Sequence, residues 1–517
     1  MARAPASRAP ARPGSRLAEL PFFVLLMGLC SAAGLLPAVH ALTRGDRATG
    51  LIFLAAAAIG AGLTLILALA TATGRARPGT RDQLFTLVMA FAVLPVLLAV
   101  PLMIAVGDTT LLRSWFEMVS SLTTTGATVF DRVDRLNPSL HLWRATVGWL
   151  GGFLMWVMAF AVLAPMNIGG FEVRHARGFG EGGTARVVMR AADPSERLAR
   201  YAARLLPIYV GLTAVLWLGL LVAGEVPIVA ICHAMSTLST SGISPIGGVP
   251  FGASGIEGEV LIFLFMAFAV SRLTWSRGLL PGDHDRLIDD PEVRLAAILI
   301  GSVTLFLFAR HFLGAGEAPA ETEFAAAATA LWGALFTVAS FLTTTGFESY
   351  WWIGAADWSG LRTPGFVLIG LAIVGGGVAT TAGGVKLLRI YALARHGERE
   401  LERLIHPHSI GGSGVESRRV RKEGARMAWI FFMLFAMSIF IVMGALALTG
   451  VQFETALVLA VSALSTTGPL AHVAAEHPVS YAGIPDTAKA ILAAAMVVGR
   501  LEALALIALL NPELWRN

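Results

Sequence analysis

Charge is what this sequence has least of. Asp, Glu, Lys and Arg make up 14% of its 517 residues against 56% hydrophobic residues, and the mean hydropathy is +0.71. That balance excludes a string of soluble domains, and the apolar content excludes a disordered chain. The only cysteines are Cys30 and Cys232, both inside apolar segments, which rules out a disulfide scaffold and leaves them as packing residues. No P-loop lysine motif occurs, so ATP hydrolysis is not expected. The ten-residue alternations of a porin-type barrel are missing too. What is present are apolar runs of 20 or more residues, and these dictate an all-α polytopic membrane protein. The formal charge of +5 comes from excess arginine, which in such a chain belongs to cytoplasmic loops facing membrane lipid rather than to nucleic-acid binding.

The first apolar run, Leu20 to Leu42, follows Arg3, Arg8, Arg12 and Arg16. It is too long for the apolar region of a signal peptide and reads as an uncleaved span with its N-terminus inside. Further long runs begin near Leu51, Leu84, Leu142, Ala202, Glu259, Val293, Pro364, Met427 and Ala488. Between them lie stretches of a different kind, Leu111 to Leu122, Pro227 to Leu238, Leu331 to Leu342 and Phe453 to Leu464. A helix of about a dozen residues reaches about 18 Å, half a membrane, so these are expected to be re-entrant half-helices.

Each is followed by the same signature. Ser120 to Gly126, Ser236 to Gly242, Ser340 to Gly346 and Ser462 to Gly468 all fit S-x-L-[ST]-T-[ST]-G, with glycines 116, 104 and 122 residues apart. Repetition on this scale sets the architecture: two leading helices, then four units of helix, half-helix, hydroxyl-rich segment and helix around one pore. The expected boundaries are 1–81 for the tail and leading helices, 82–172 for repeat 1, 173–199 for a cytoplasmic loop and 200–278 for repeat 2. Repeat 3 spans 279–396, a second cytoplasmic loop 397–425 and repeat 4 426–517.

Irregular backbone is tolerated at membrane depth only where it is buried or lines a cavity. Four such segments about one axis supply carbonyl and hydroxyl oxygens, the hard ligands that replace the hydration shell of an alkali cation, and the half-helix C-termini add partial negative charge. The candidate cation-binding residues are Thr124, Thr125, Gly126, Thr240, Ser241, Gly242, Thr344, Thr345, Gly346, Thr466, Thr467 and Gly468. The alternative, close helix packing by small residues, suits one copy but not four at matching positions.

Loop charge sets topology. Arg75, Arg77 and Arg81, with the segments Arg174 to Arg200, Arg272 to Arg294 and Lys386 to Arg426, are rich in Lys and Arg and are expected inside. The alternate connections carry Asp108, Glu117, Asp131, Asp134, Glu225, Glu257, Glu317, Glu321, Glu323, Glu348, Asp357, Glu454 and Glu476, read as an acidic outer face that concentrates cations.

The run from Pro364 is broken after about 11 residues, some 17 Å in, by Gly375, Gly376, Gly377, Gly383 and Gly384, and a broken helix at that depth lines a pathway. Arg500 stands about 12 residues into the final span, where a charge costs about 2.5 kcal/mol or more and faces a cavity or a partner. Gly178 to Gly183 fits G-x-G-x-x-G, but it follows no strand and reads as a linker. His406 and His408 lack a third metal ligand, and an intramembrane enzyme built on His233 or His406 lacks a converging acid, base and nucleophile.

With Trp143-Arg144, Trp149-Leu150-Gly151-Gly152, Gly375-Gly376-Gly377, Thr380-Thr381-Ala382-Gly383-Gly384, Lys386, Leu404-Ile405-His406-Pro407, Gly499-Arg500-Leu501-Glu502, Pro512 and Trp515-Arg516, the four segments resemble the TrkH branch of the Trk/Ktr/HKT superfamily over nearly the whole chain. The resemblance implies potassium as the transported ion, no cofactor, a gate formed by Gly375, Gly376, Gly377, Thr380, Thr381, Gly383 and Gly384, and Arg500 in the permeation path. It also implies a homodimer in the inner membrane and a cytoplasmic nucleotide-binding regulatory subunit of the TrkA type. A sodium-conducting or sodium-coupled relative on the same scaffold is the alternative. The fourth segment departs from the family's N-x-G-P-G, reading Thr466-Thr467-Gly468-Pro469-Leu470, and Ile243 replaces an aromatic in the second.

Overall fold

The structure, a computed structural model, describes residues 21–71, 80–166, 170–173, 194–274, 287–314, 324–361, 363–406, 422–475 and 477–501. Outside them lie the N-terminal arginines, Arg75 and Arg77, most of the basic loops, the Gly178 to Gly183 stretch, Glu317, Glu321, Glu323, His408, Glu476 and everything after Leu501.

Helices dominate the described chain, and no strand occurs among the described residues. Helices α1 (Phe22–Ala33) and α2 (Leu35–Thr43) form one apolar span, followed by α3 (Arg47–Thr71). Then come α4 (Thr80–Val106), α5 (Leu111–Leu122) and α6 (Pro138–Met158), the last continuing through a π-helical turn, Ala159–Leu163, to Met166. The second set is α7 (Pro194–Val222), α8 (Pro227–Ser239) and α9 (Gly255–Val270). The third comprises α10 (Pro291–Gly314), α11 (Phe324–Leu342), the short α12 (Trp352–Ser359), α13 (Gly365–Val374) and α14 (Leu387–Ile405). The last comprises α15 (Lys422–Leu448), α16 (Phe453–Leu464), α17 (Leu470–Val473) and α18 (Asp486–Leu501).

Local chemistry explains the starts. The Thr110 hydroxyl accepts the Arg113 N–H (3.3 Å) to open α5; Asn137 caps α6 through the Leu140 N–H (2.9 Å), with Pro138 in the first turn, where no donor is needed. Pro227 opens α8 in the same way.

Among the described residues eight helices are long and apolar enough to cross a membrane. Helices α3 and α15 expose much of their apolar surface, as lipid-facing helices do, whereas α6 is buried along nearly its whole length and forms the centre of the bundle. One expectation shifts and one holds. The third half-helix is not a dozen residues: α11 starts at Phe324 rather than near Leu331, because Ala325–Ala328, strong helix formers, continue it outward. The run from Pro364 breaks where its glycines imply: α13 stops at Val374 and the chain resumes as helix only at Leu387.

Candidate cation pathway

Helices α5, α8, α11 and α16 each end immediately before or within an S-x-L-[ST]-T-[ST]-G segment, and each segment has the same backbone. Thr124, Thr240, Thr344 and Thr466 all adopt left-handed φ, between 52° and 56°. A β-branched residue adopts that region at a cost of about 1–2 kcal/mol, so it persists only where its surroundings hold it. Two sets of bonds do so. The carbonyl of the first motif serine accepts the N–H five residues on: Thr125 to Ser120 (2.8 Å), Ser241 to Ser236, Thr345 to Ser340 and Thr467 to Ser462 (each 2.9 Å). The hydroxyls flanking the strained threonine pair with each other: Thr123 with Thr125 (2.8 Å), Ser239 with Ser241 and Thr343 with Thr345 (3.0 Å), Ser465 with Thr467 (3.2 Å). The hydroxyls at the motif's fourth and sixth positions are thereby explained. Its leucine is buried in all four copies, and α6 and α18 pass so closely that a Cβ on Gly151 or Gly499 would strike the carbonyl of Leu122 or Leu464.

The segments close a ring. A Cβ on Gly126 would collide with the Ser241 carbonyl, one on Gly242 with that of Thr345, one on Gly346 with the Pro469 ring, and one on Gly468 with Ala127. The Gly468 N–H donates to the Thr125 carbonyl at 2.6 Å, completing the circuit from the fourth segment to the first. The four segments carrying the candidate residues thus meet in order, first to second, second to third, third to fourth and fourth to first.

Behind the ring, one position recurs: the residue nine before each motif glycine, which is Glu117, His233, Thr337 or Leu459. Three of these brace the chain that leaves the ring. The Glu117 carboxylate accepts the Val129 N–H (2.9 Å) and the Thr128 hydroxyl (3.2 Å), His233 Nε2 bonds the Ser244 hydroxyl (2.9 Å), and Thr337 accepts the Ser349 N–H (3.2 Å). Glu117 is also 2.6 Å from Nε of Arg144, both side chains almost wholly buried. Buried Glu259 accepts from the Trp332 indole (2.8 Å), the Ser349 hydroxyl (2.8 Å) and the Tyr350 N–H (2.6 Å). Buried Glu225 takes the Ala253 and Ser254 N–H groups (both 3.2 Å) and the Ser254 hydroxyl (2.8 Å). Glu117 and Glu225 therefore do not belong to an exposed acidic face: a carboxylate with backbone donors in reach is held in the interior. Half-buried Glu348 sits two residues past Gly346, where desolvation pushes its carboxyl up to about 7.

Under the ring lies the break between α13 and α14. Gly375 turns the chain with φ +72°, and the loop is pinned by the Val385 N–H to Ile373 O (2.8 Å), the Lys386 N–H to Val374 O and the Leu387 N–H to Gly376 O (2.9 Å each). It touches the ring directly: the Gly383 N–H donates to the Thr344 hydroxyl (2.7 Å), and the Thr381 hydroxyl to the Leu238 carbonyl (3.1 Å). A Cβ at Gly383 would meet Ser465 O and Thr466 Oγ1. The Thr380 hydroxyl closes a turn on Gly377 O (2.7 Å), and the Gly377 N–H bonds Ala269 O at the end of α9 (2.9 Å). Ala379 and Lys386 hold φ of +59° and +87°, so the loop carries backbone strain of its own. Arg500, buried on α18, donates to the Thr381 carbonyl (2.5 Å), and the Lys386 ammonium to that of Ala382. The Glu292 carboxylate on α10 accepts the Val378 N–H at 2.7 Å. Sequence reading missed Glu292 and Glu259, whose roles come from contacts with distant segments.

His406 is exposed at the end of α14, far from His233 in the ring's support, and the described residues contain no group of three or more His, Cys, Asp or Glu placed to hold a metal.

The TrkH model, described as a cation transport protein, matches residues 52–248 and 287–514. The chain is 31% identical to the Trk system potassium uptake protein TrkH of Salmonella typhimurium over 95% of this chain and 98% of that protein. It is 27% identical to the Trk system potassium uptake protein TrkG of Escherichia coli over 85% and 86%. The crystal structure of the potassium transporter TrkH from Vibrio parahaemolyticus superimposes with a TM-score of 0.79 at 26% identity, covering 97% of this chain and all of that one. Four repeated segments closed into one ring, a loop beneath them and a match across most of the sequence have one reading: the chain belongs to the TrkH family of cation transport proteins.

Proposed function

We propose that this protein takes up potassium across the cell membrane, through the ring of four segments as selectivity filter. The observation that carries the reading is the shared left-handed threonine: four equivalent turns, one per repeat, directed at one axis. Carbonyls and hydroxyls with no anionic side chain among them suit a monovalent cation that is stripped of water and released again. The loop from Gly375 to Gly384 is the gate, seated on the inner side of the ring by its bonds to Thr344 and Leu238, and Arg500 puts a fixed positive charge beside it. Relatives named as Trk-system potassium uptake proteins support potassium as the ion. By the same kinship the protein is a homodimer of the inner membrane controlled by a TrkA-type cytoplasmic subunit.

The test is uptake. Expression in cells lacking potassium uptake should restore growth at low potassium, and Gly346→Ser should keep rubidium uptake measurable while raising sodium uptake relative to it, because the new side chain displaces Pro469 from the ring. No growth rescue and an unchanged ion ratio would sink the reading.

A further inference from the structure

The ring is not fourfold in its outer layer. In the second and third segments the carbonyls of the last two residues, Ser241 and Gly242, Thr345 and Gly346, accept no hydrogen bond among the described residues. In the fourth segment the corresponding carbonyls are taken. Thr467 O accepts from the Ser462 hydroxyl (3.0 Å) and the Leu470 N–H (3.1 Å). Gly468 O accepts from the Tyr481 hydroxyl (3.0 Å) and the Ala471 N–H (3.2 Å), and lies 3.3 Å from the Ser462 hydroxyl, whose one proton it shares with Thr467 O. The chain can bond in this way because it turns helical straight after Gly468, Pro469 preceding α17, with buried Leu470 in its first turn. What the fourth segment offers its neighbours is instead an N–H, from Gly468 to Thr125 O, and the Pro469 ring, against Gly242 and Gly346.

We infer that the fourth segment is a wedge rather than a fourth oxygen wall at the outer end of the pore, and that Tyr481 is the positioning residue that holds it there and thereby sets ion discrimination. The inference rests on the filter reading above. Tyr481 is fully buried, its hydroxyl bridges Ser462 (2.6 Å) and Gly468 O, and its ring lies 5.9 Å from that of Phe116 on α5. Its own position is fixed on both sides. Next to it, the Ser480 hydroxyl bonds both oxygens of Asp131 in the first repeat (2.8 and 2.7 Å), and the Val479 N–H bonds Ala471 O (2.9 Å). Beyond it, the buried Lys489 ammonium donates to Ile484 O (2.6 Å), Ala482 O (3.3 Å) and Asp486 (3.2 Å). A hydroxyl on so rigid a mount restrains the carbonyl it bonds; without it, Gly468 O is freer to turn to a passing ion.

Tyr481→Phe keeps the ring and its packing and removes only the hydroxyl. The rubidium-to-sodium uptake ratio should change by about 2- to 10-fold, the range that one neutral hydrogen bond corresponds to, with maximal rubidium flux and thermal stability near the parent's. Ser462→Ala, which removes the second donor, should shift the ratio the same way, and it serves as the test if the Phe variant does not fold. Gly346→Ser, run alongside, separates the two readings. If it alters the ratio and both hydroxyl variants, folded, leave it unchanged, the wedge is refuted and the filter stands; if none of the three alters it, the filter reading fails as well.

Discussion

Glu117 offers the sharpest energetic test, because its partners are few and buried. Glu117→Ala removes an ion pair at 2.6 Å, a bond to the Val129 N–H at 2.9 Å and one to the Thr128 hydroxyl at 3.2 Å. Side-chain exposure is 0% for Glu117 and 5% for Arg144, so solvent does little to screen the guanidinium left behind. Breaking a buried pair by removing one partner costs about 3–5 kcal/mol, a shift of a hundredfold or more in the folding equilibrium at about 1.4 kcal/mol per tenfold. Glu117→Gln keeps an acceptor for Val129 but not the charge, and should fall between the parent and the Ala variant. The double change Glu117→Leu with Arg144→Met, which buries no charge, should recover much of the loss, so the single-variant costs are strongly non-additive. Unfolding of the detergent-solubilised protein, followed by heat or denaturant, measures the parent, these three variants and the singles Glu117→Leu and Arg144→Met that complete the cycle. A loss below about 1 kcal/mol for Glu117→Ala, or a double variant that costs the sum of the singles, would refute the claim that this pair is a desolvated brace.

Three further outcomes are expected. Arg500→Ala should raise cation flux by about tenfold or more, since it removes a positive charge and a charged hydrogen bond of about 1.5–3 kcal/mol to the loop, while the ion ratio stays put; lower flux from a well-folded variant contradicts a barrier role. Glu292→Ala should loosen the Val378 anchor and raise flux in the absence of any cytoplasmic partner, with Glu292→Gln, which keeps an acceptor, nearer the parent; equal flux in all three would mean the anchor does not hold the gate. Glu348 has its carboxyl raised to about 7 by desolvation, so it is protonated and neutral on the acid side and negative on the alkaline side. Cation uptake should therefore climb between about pH 6 and pH 8, and Glu348→Gln should flatten that rise; a parallel profile in the variant excludes Glu348 as the titrating group.

The parts of this molecule that could be read from its sequence are those where the membrane forbids ordinary chemistry. Backbone that leaves a helix in the bilayer needs Gly, Ser and Thr at fixed offsets, so the four segments and the break at Gly375 left a local, repeated pattern. The braces left none of that kind. Glu259 bonds Tyr350 across 91 residues and Glu292 bonds Val378 across 86, so nothing near either glutamate marks it as structural. Glu225 sits in a loop and reads as a solvated charge until the fold turns it inward, and Glu117, inside the first half-helix, shows its burial only in the folded chain. One signal was available: with the repeats aligned on their glycines, the position nine residues earlier is polar in three of four copies, Glu117, His233 and Thr337. The length of α11 escaped for the opposite reason, because a run of alanines satisfies helix propensity without marking where burial stops.

That each brace uses a different chemistry has a consequence for how such a ring can change. A pore assembled from four identical chains receives every substitution four times over, and a modest local strain becomes a fourfold one. Here the carboxylate, the imidazole, the hydroxyl and the leucine at 117, 233, 337 and 459 belong to one polypeptide, so each quarter is altered alone. The increments available are correspondingly fine: one wall can be stiffened, tilted or stripped of a donor while three keep their geometry. The four quarters have ceased to be interchangeable, and a segment transplanted from one repeat into another would arrive without the partner that holds it.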